Sequence, residues 1–205
     1  MAIKPAWRSA ILPACYPSFR STALRSTTGA PGSIGPTNRI ASCLIWILSR
    51  KCWQRVKDAA VLLRETLQQR RLESFLLASG GKGLHLVVPV VRRVTWEQAK
   101  DFAFGVAKQM ESRSPREFTT NGSLAARRGK IYIDFLRNRR GATAIAPYST
   151  RARPGAPVAV PLDWEELPTL RSAAAYSMQT LSNRLRKLKQ CPWAGLNTVR
   201  QVLRT

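Results

Sequence analysis

The sequence predicts an α/β or α+β domain. Two observations lead there. From Trp53 onward, segments with apolar residues at helical spacing alternate with short β-branched and aromatic runs. The composition, 44% hydrophobic and 22% charged over 205 residues, is ordinary for a chain with a packed core. No internal repeat interrupts the alternation.

The first helix opens near Trp53, because Val56, Ala59, Ala60, Leu63 and Leu67 share one face with Arg and Gln opposite. Ser79-Gly80-Gly81-Lys82-Gly83 reads as a turn, and Leu84 to Val90, apolar apart from His85 and Pro89, as a buried strand. Thr95-Trp96-Glu97-Gln98 is a capping-box start, followed by Ala99, Phe102, Val106 and Met110 along one helix face. Pro115 to Gly129 reads as a loop. Lys130 to Leu136 reads as a strand with Asp134 near its end. Ala142 to Tyr148 reads as a further strand and 153–157 as a loop. Asp163, Glu165 and Glu166 fall in a surface turn, and Met178 to Lys189 forms a basic amphipathic helix.

Charge is the unusual quantity. Lys and Arg number 34 and Asp and Glu 11, a net charge of +23. A surplus of this size points to a polyanionic partner. The longest apolar run, Ile40 to Leu48, is too short to span a bilayer. The start lacks a continuous apolar stretch, which argues against secretion. Cys15, Cys43, Cys52 and Cys191 form no C-x-x-C pair and there is one histidine, so no zinc ligand set is visible. A reduced, cytoplasmic setting is expected. Residues 1–52 contain no acid at all and, outside Ile40–Leu48, no period; they read as an irregular basic segment.

Three groups of residues carry possible chemistry. The glycines of the 79–83 turn free backbone N–H groups for phosphate oxygens, and Lys82 adds a cation, though the order is not that of a Walker loop. His85 directly follows; it is either a satisfied, half-buried imidazole or a phosphate contact. Asp134 interrupts an apolar strand, where a carboxylate is costly unless paired or metal-bound. A salt bridge to Arg137 or Arg139 and a divalent-ion ligand are both open. Arg137, Arg139, Arg140, Arg151 and Arg153, beside Ser149-Thr150, suit a triphosphate or are a solvated basic loop.

Three stretches resemble a known family. They are Ser79-Gly80-Gly81-Lys82-Gly83-Leu84-His85, Ile133-Asp134-Phe135-Leu136-Arg137-Asn138, and Ala146-Pro147-Tyr148-Ser149-Thr150-Arg151-Ala152-Arg153-Pro154-Gly155. In order and spacing they are similar to the polymerase domain of bacterial DNA ligase D, of the archaeo-eukaryotic primase superfamily. Pro161 to Leu167 and Cys191-Pro192-Trp193-Ala194 fit its closing segments. The resemblance runs from about Trp53 to Thr205 and implies the C-terminal part of a primase-polymerase fold, with a mixed or antiparallel sheet flanked by helices. It implies nucleotidyl transfer at DNA ends in non-homologous end joining, manganese or magnesium, a nucleoside triphosphate substrate, and a Ku-type end-binding partner at the bacterial nucleoid. By matching motif, Ser79, Lys82 and His85 would contact the triphosphate. Asp134 would be one of three metal-binding aspartates, and Arg137, Asn138 and Arg151 would orient triphosphate and primer-template.

The chain departs from that pattern where the family carries Asp-Leu-Asp-Pro, just before the helix at Trp53. Here the sequence is Leu44-Ile45-Trp46-Ile47-Leu48. The codons TTG ATC TGG ATC CTG would encode those five residues, and regrouped they contain GAT CTG GAT CCT, which is Asp-Leu-Asp-Pro. Ser26 to Gly32 likewise permits Phe-His-Asn-Trp-Gly-Ala-Arg, and loss of two bases before the Trp53 codon would restore the frame. The expected organisation is therefore an out-of-frame translation up to residue 52 and a partial polymerase domain over 53–205. The expected function is a truncated, inactive relative of the ligase D polymerase domain, with exposed sheet edges and poor solubility. The alternative is a non-catalytic, basic nucleic-acid-binding protein.

Overall fold

A computed structural model describes residues 40–48, 52–91, 94–139 and 141–203. Of the irregular segment expected over 1–52, residues 1–39 and 49–51 lie outside these residues. The described chain is a mixed α/β fold built on one six-stranded sheet. Its elements are β1 (Ile40–Leu48), α1 (Trp53–Gln68), β2 (Phe75–Ala78), β3 (Gly83–Val91), α2 (Trp96–Arg113), β4 (Phe118–Thr119), β5 (Ile131–Asp134), β6 (Val160–Leu162) and α3 (Met178–Lys187). The strand order is β4-β5-β1-β3-β2-β6. Only the β4–β5 pair is parallel; the other four are antiparallel, so the sheet is mixed.

The run that stood out before Trp53 becomes a central strand. β1 pairs with β3 over its whole length, Ile40 with Val91 through Leu48 with Gly83, and with β5 at Trp46–Asp134, Ile47–Ile133 and Leu48–Tyr132. Pro89, which cannot donate to a ladder, sits beyond the last β2 partner at Val87, where β2 no longer needs a donor.

The period-two alternation of the strands assigns the two sheet faces. Ile45 and Ile47 of β1, Leu84, Leu86 and Val88 of β3, and Ile131 and Ile133 of β5 face the main core. There they meet Val56, Ala59, Ala60 and Leu63 of α1 and Phe102, Val106 and Met110 of α2. The other face carries Trp46, His85, Tyr132 and Asp134, and farther along it a smaller cluster of Leu77, Val87, Ala159, Trp193 and Leu196. Trp193 is anchored by an Nε1–H bond to the Leu76 carbonyl at 3.0 Å. Cys191, in the same cluster, is disulfide-bonded.

The helices form where the periodicity placed them. Thr95 accepts from the Gln98 N–H and Gln98 caps Thr95 N in return, the expected box. Three expectations need correction. Ala142 to Tyr148 is not a strand; its backbone is held at Tyr148 N–H to Ala159 O. The loop expected over 115–129 contains the short β4. The final helix ends at Lys187, with Arg184, Arg186 and Lys187 in its last turn.

Gly83 has a specific reason. A Cβ there would stand 2.0 Å from the Ile47 carbonyl oxygen, because β1 lies directly alongside, with Leu48 paired to Gly83. Gly83→Ala is expected to cost about 3 kcal/mol by forcing the two strands apart. Urea unfolding of the variant against the parent checks this.

Candidate functional site

The face of the sheet away from the main core brings two of the predicted residues, His85 and Asp134, to one place around Trp46. β3 supplies His85, β5 supplies Asp134, and β1 between them places Trp46 opposite both. All three are buried. Trp46 stacks flat on His85, with ring centroids 3.9 Å apart and planes 3° from parallel. The Arg137 guanidinium lies over the same indole at 4.6 Å. Trp46 Nε1 is buried without a hydrogen-bond partner among the described residues.

Asp134 is engaged locally. Its Oδ1 accepts from the Leu136 N–H at 3.0 Å and its Oδ2 from Arg137 Nε at 3.3 Å. The salt bridge left open by the sequence therefore forms with Arg137. Asn138 is buried and donates its side-chain amide to the Phe135 carbonyl at 3.0 Å, which fixes the 3-10 turn after β5. Burial and the nearby Asp134 charge raise the Tyr132 hydroxyl above its ordinary range. Arg127 stacks on the Tyr132 ring at 3.8 Å. An open pocket of about 560 Å³ lies here, bordered by Arg127, Tyr132, Asp134, Arg137 and Arg139.

The glycine turn is held from both sides. The Ser79 hydroxyl donates to the Gly83 carbonyl at 2.7 Å and accepts from the Gly81 N–H at 3.2 Å. Gly80 adopts φ +64 against the Val158 backbone, a conformation that favours glycine. Arg151 Nε donates to the Ser79 carbonyl at 3.0 Å. Lys82 is exposed at the tip. Thus Ser79, Lys82, His85 and Arg151 gather at one end of β3, and Asp134, Arg137 and Asn138 at the neighbouring end of β5, with Trp46 between.

The His85 imidazole is neutral in this setting. Burial, then the Arg151 and Arg137 charges, push its pKa down to about 3. It can therefore serve a ligand as a neutral hydrogen-bonding ring rather than as a cation. In the unfolded chain it regains an ordinary pKa near 6.5 and takes up a proton first. Its contribution to stability is thus full above about pH 6.5 and is lost as pH falls toward 3. Stability is expected to drop by about 1 kcal/mol between pH 6 and 5, and His85→Gln should flatten that slope. Urea unfolding of both chains across this range is the check.

A divalent-ion pair of the kind used in phosphoryl transfer needs several carboxylates to clamp both oxygens. The residues present do not fit one. Asp134 faces an indole across the β1–β5 pair, and both of its oxygens are already bonded. Among the described residues no group of three or more His, Cys, Asp and Glu side chains is placed to hold a metal. Trp46 was missed as a site residue by the sequence reading. Its signal was available in the alternation Ile45-Trp46-Ile47, which puts Trp46 on the opposite face from two core isoleucines.

Among the described residues no helix is long and apolar enough to cross a membrane. The family described as LigD, primase-polymerase domain, matches residues 49–193. The multifunctional non-homologous end joining protein LigD of Pseudomonas aeruginosa is 41% identical over 150 residues, which are 73% of this chain and 18% of that protein. The bifunctional non-homologous end joining protein LigD of Bacillus subtilis is 32% identical over 146 residues, 71% of this chain and 24% of that one. The chain thus spans a quarter or less of these relatives' length. The polymerase domain from Mycobacterium tuberculosis ligase D, solved in complex with DNA, superposes with a TM-score of 0.70 at 28% identity. That match covers 83% of this chain and 60% of that one.

Proposed function

This chain belongs to the LigD primase-polymerase domain family, and from that membership we propose that it holds a nucleoside triphosphate and a DNA end without joining them. One observation carries the reading: the residue facing Asp134 across the central strands is Trp46, not a carboxylate. The family is one of metal-dependent nucleotidyltransferases; manganese or magnesium would neutralise the developing charge there, and here the acids to hold either ion are lacking.

The gathering of side chains around the glycine turn supports the binding half of the reading. Ser79, Lys82, His85 and Arg151 would take the triphosphate at the glycine turn, and Arg137 and Asn138 would orient it beside the primer. Asp134 would remain as a lone acid, paired to Arg137. A Ku-type protein as partner, and a place at the bacterial nucleoid, belong to the same reading.

The reading-frame shift is part of the proposal. Residues up to 52 would be translated out of frame and 53–205 in frame. The family match starts at residue 49, just past β1. The buried, unpartnered indole N–H of Trp46 is also what an unselected side chain in a central strand would leave, at a cost of about 1–3 kcal/mol. Rereading the coding DNA between the codons for Ser26 and Trp53 tests it: two further bases would restore Asp-Leu-Asp-Pro, and an unchanged read would leave the strand as it stands.

The function is tested by primer extension. The purified chain, given primer-template, ribonucleotides or deoxyribonucleotides and manganese, is expected to yield no extended product. Extension above a mock purification would overturn the proposal. The +23 charge supports a second reading, a nucleic-acid binder indifferent to triphosphate. That reading predicts DNA affinity that falls steeply with salt and is unchanged by added nucleotide.

A further inference from the structure

We infer that the basic cluster around the Ser79–Gly83 turn takes a chain of phosphates free of divalent metal, with guanidinium groups rather than an ion neutralising it. The inference rests on the triphosphate reading above and names the form of the ligand.

The charges around the turn are the reason. Arg151 reaches the Ser79 carbonyl, and its terminal nitrogen lies 3.9 Å from the position a Cβ on Gly81 would take. An Arg153 nitrogen lies 4.0 Å from the same point. Lys82 projects from the turn itself, and Arg137 covers Trp46 one strand away. The acid of this neighbourhood, Asp134, is already paired with Arg137. Among the described residues no carboxylate pairs with Arg151 or Arg153.

The cluster is therefore positive, with Arg151 and Arg153 unneutralised by any carboxylate among the described residues. Its members repel one another: burial first, then the Arg153 and Arg137 charges, lower the Arg151 pKa. A polyphosphate relieves that repulsion through bidentate guanidinium contacts and through the open backbone of the glycine turn. A metal-bound polyphosphate arrives with two charges neutralised, and its ion finds no oxygen-ligand set. It also brings a divalent cation toward four fixed positive groups. Trp46, stacked on His85, fills the ground between the turn and Asp134 with an apolar ring that offers a metal nothing.

Calorimetric titration of the whole chain tests this, with inorganic tripolyphosphate and with ATP, each in EDTA and in excess manganese. The expected result is affinity in EDTA equal to or greater than in manganese for both ligands. A gain of threefold or more on adding manganese overturns the inference. Binding seen only with manganese overturns it while leaving the triphosphate pocket standing. No binding of either ligand under either condition overturns both. Arg153→Gln, on an exposed loop, is expected to weaken tripolyphosphate binding about fivefold. Arg113→Gln, at the far end of α2, removes the same charge and should change it less than twofold. Equal losses in the two variants would mean attraction to net charge alone and would overturn the site. ATP binding without tripolyphosphate binding would show recognition through base or sugar and would overturn it as well.

Discussion

Arg184→Ala is expected to destabilise the domain by about 3–5 kcal/mol, with a fall in Tm of about 10 °C or more. Arg184 enters from α3 and is almost covered, its side chain 9% exposed. Both of its terminal nitrogens donate to the Glu166 carboxylate, one of them at 2.9 Å. It also donates to the Pro161 carbonyl at 2.9 Å and to the Tyr176 hydroxyl at 3.3 Å, and lies over the Tyr176 ring at 4.9 Å. Alanine leaves the Glu166 carboxylate without its cation, keeping only the Asp163 N–H, and a strand carbonyl unpaired, and that penalty, rather than the attraction itself, sets the size of the effect. The double variant Arg184→Met with Glu166→Gln should therefore recover part of the loss. Arg184→Lys should not, because an ammonium cannot serve the carboxylate bidentately and the carbonyl together.

The consequence reaches the site. α3 and β6 hold the segment that presents Arg151 and Arg153. Val158 N–H bonds Tyr176 O, Arg151 N–H bonds Pro157 O, and Pro157 bridges to Ser177. Loosening α3 frees that segment, so Arg184→Ala is also expected to weaken tripolyphosphate binding at temperatures where the fold survives. Unfolding and titration on the same preparation separate the two effects.

How much of this was legible follows from how local each feature is. α1 and α2 were readable because their buried faces repeat every three to four residues, and Thr95-x-x-Gln98 marks a start by itself. β3 and β5 were readable as apolar, β-branched runs. β2 and β6 escaped because they are four and three residues long and covered on both faces, so no alternation announces them. The acids of the 163–166 segment were read only as a surface turn, whereas Glu166 is the partner of an arginine 18 positions away. Motif order gave Ser79, His85, Asp134 and Arg151, yet only pairing across the sheet shows that Trp46 stands between His85 and Asp134. That contact joins three strands far apart in sequence, and neither propensity nor spacing encodes it.

Trp46→Asp is expected to give the domain a stability that depends on manganese, which the parent lacks. The substitution removes a buried indole that stacks on His85 and carries the Arg137 guanidinium. Loss of that packing should cost about 3–5 kcal/mol in EDTA. It also sets a second carboxylate directly opposite Asp134, where cross-strand partners stand about 5 Å apart at Cβ. Two carboxylates so close disfavour joint ionisation, which adds to the cost without metal. A divalent ion reverses the sign, because it binds the folded pair and not the unfolded chain. At a hundred times its Kd it restores about 2.7 kcal/mol. Tm should therefore rise with manganese in Trp46→Asp and stay level in the parent and in Trp46→Asn. The Asn variant makes the same cavity without the charge. A manganese-dependent rise in Trp46→Asn as large as in Trp46→Asp would show that the ion acts elsewhere. A flat response in all three would show that β1 and β5 do not place the two residues as a ligand pair.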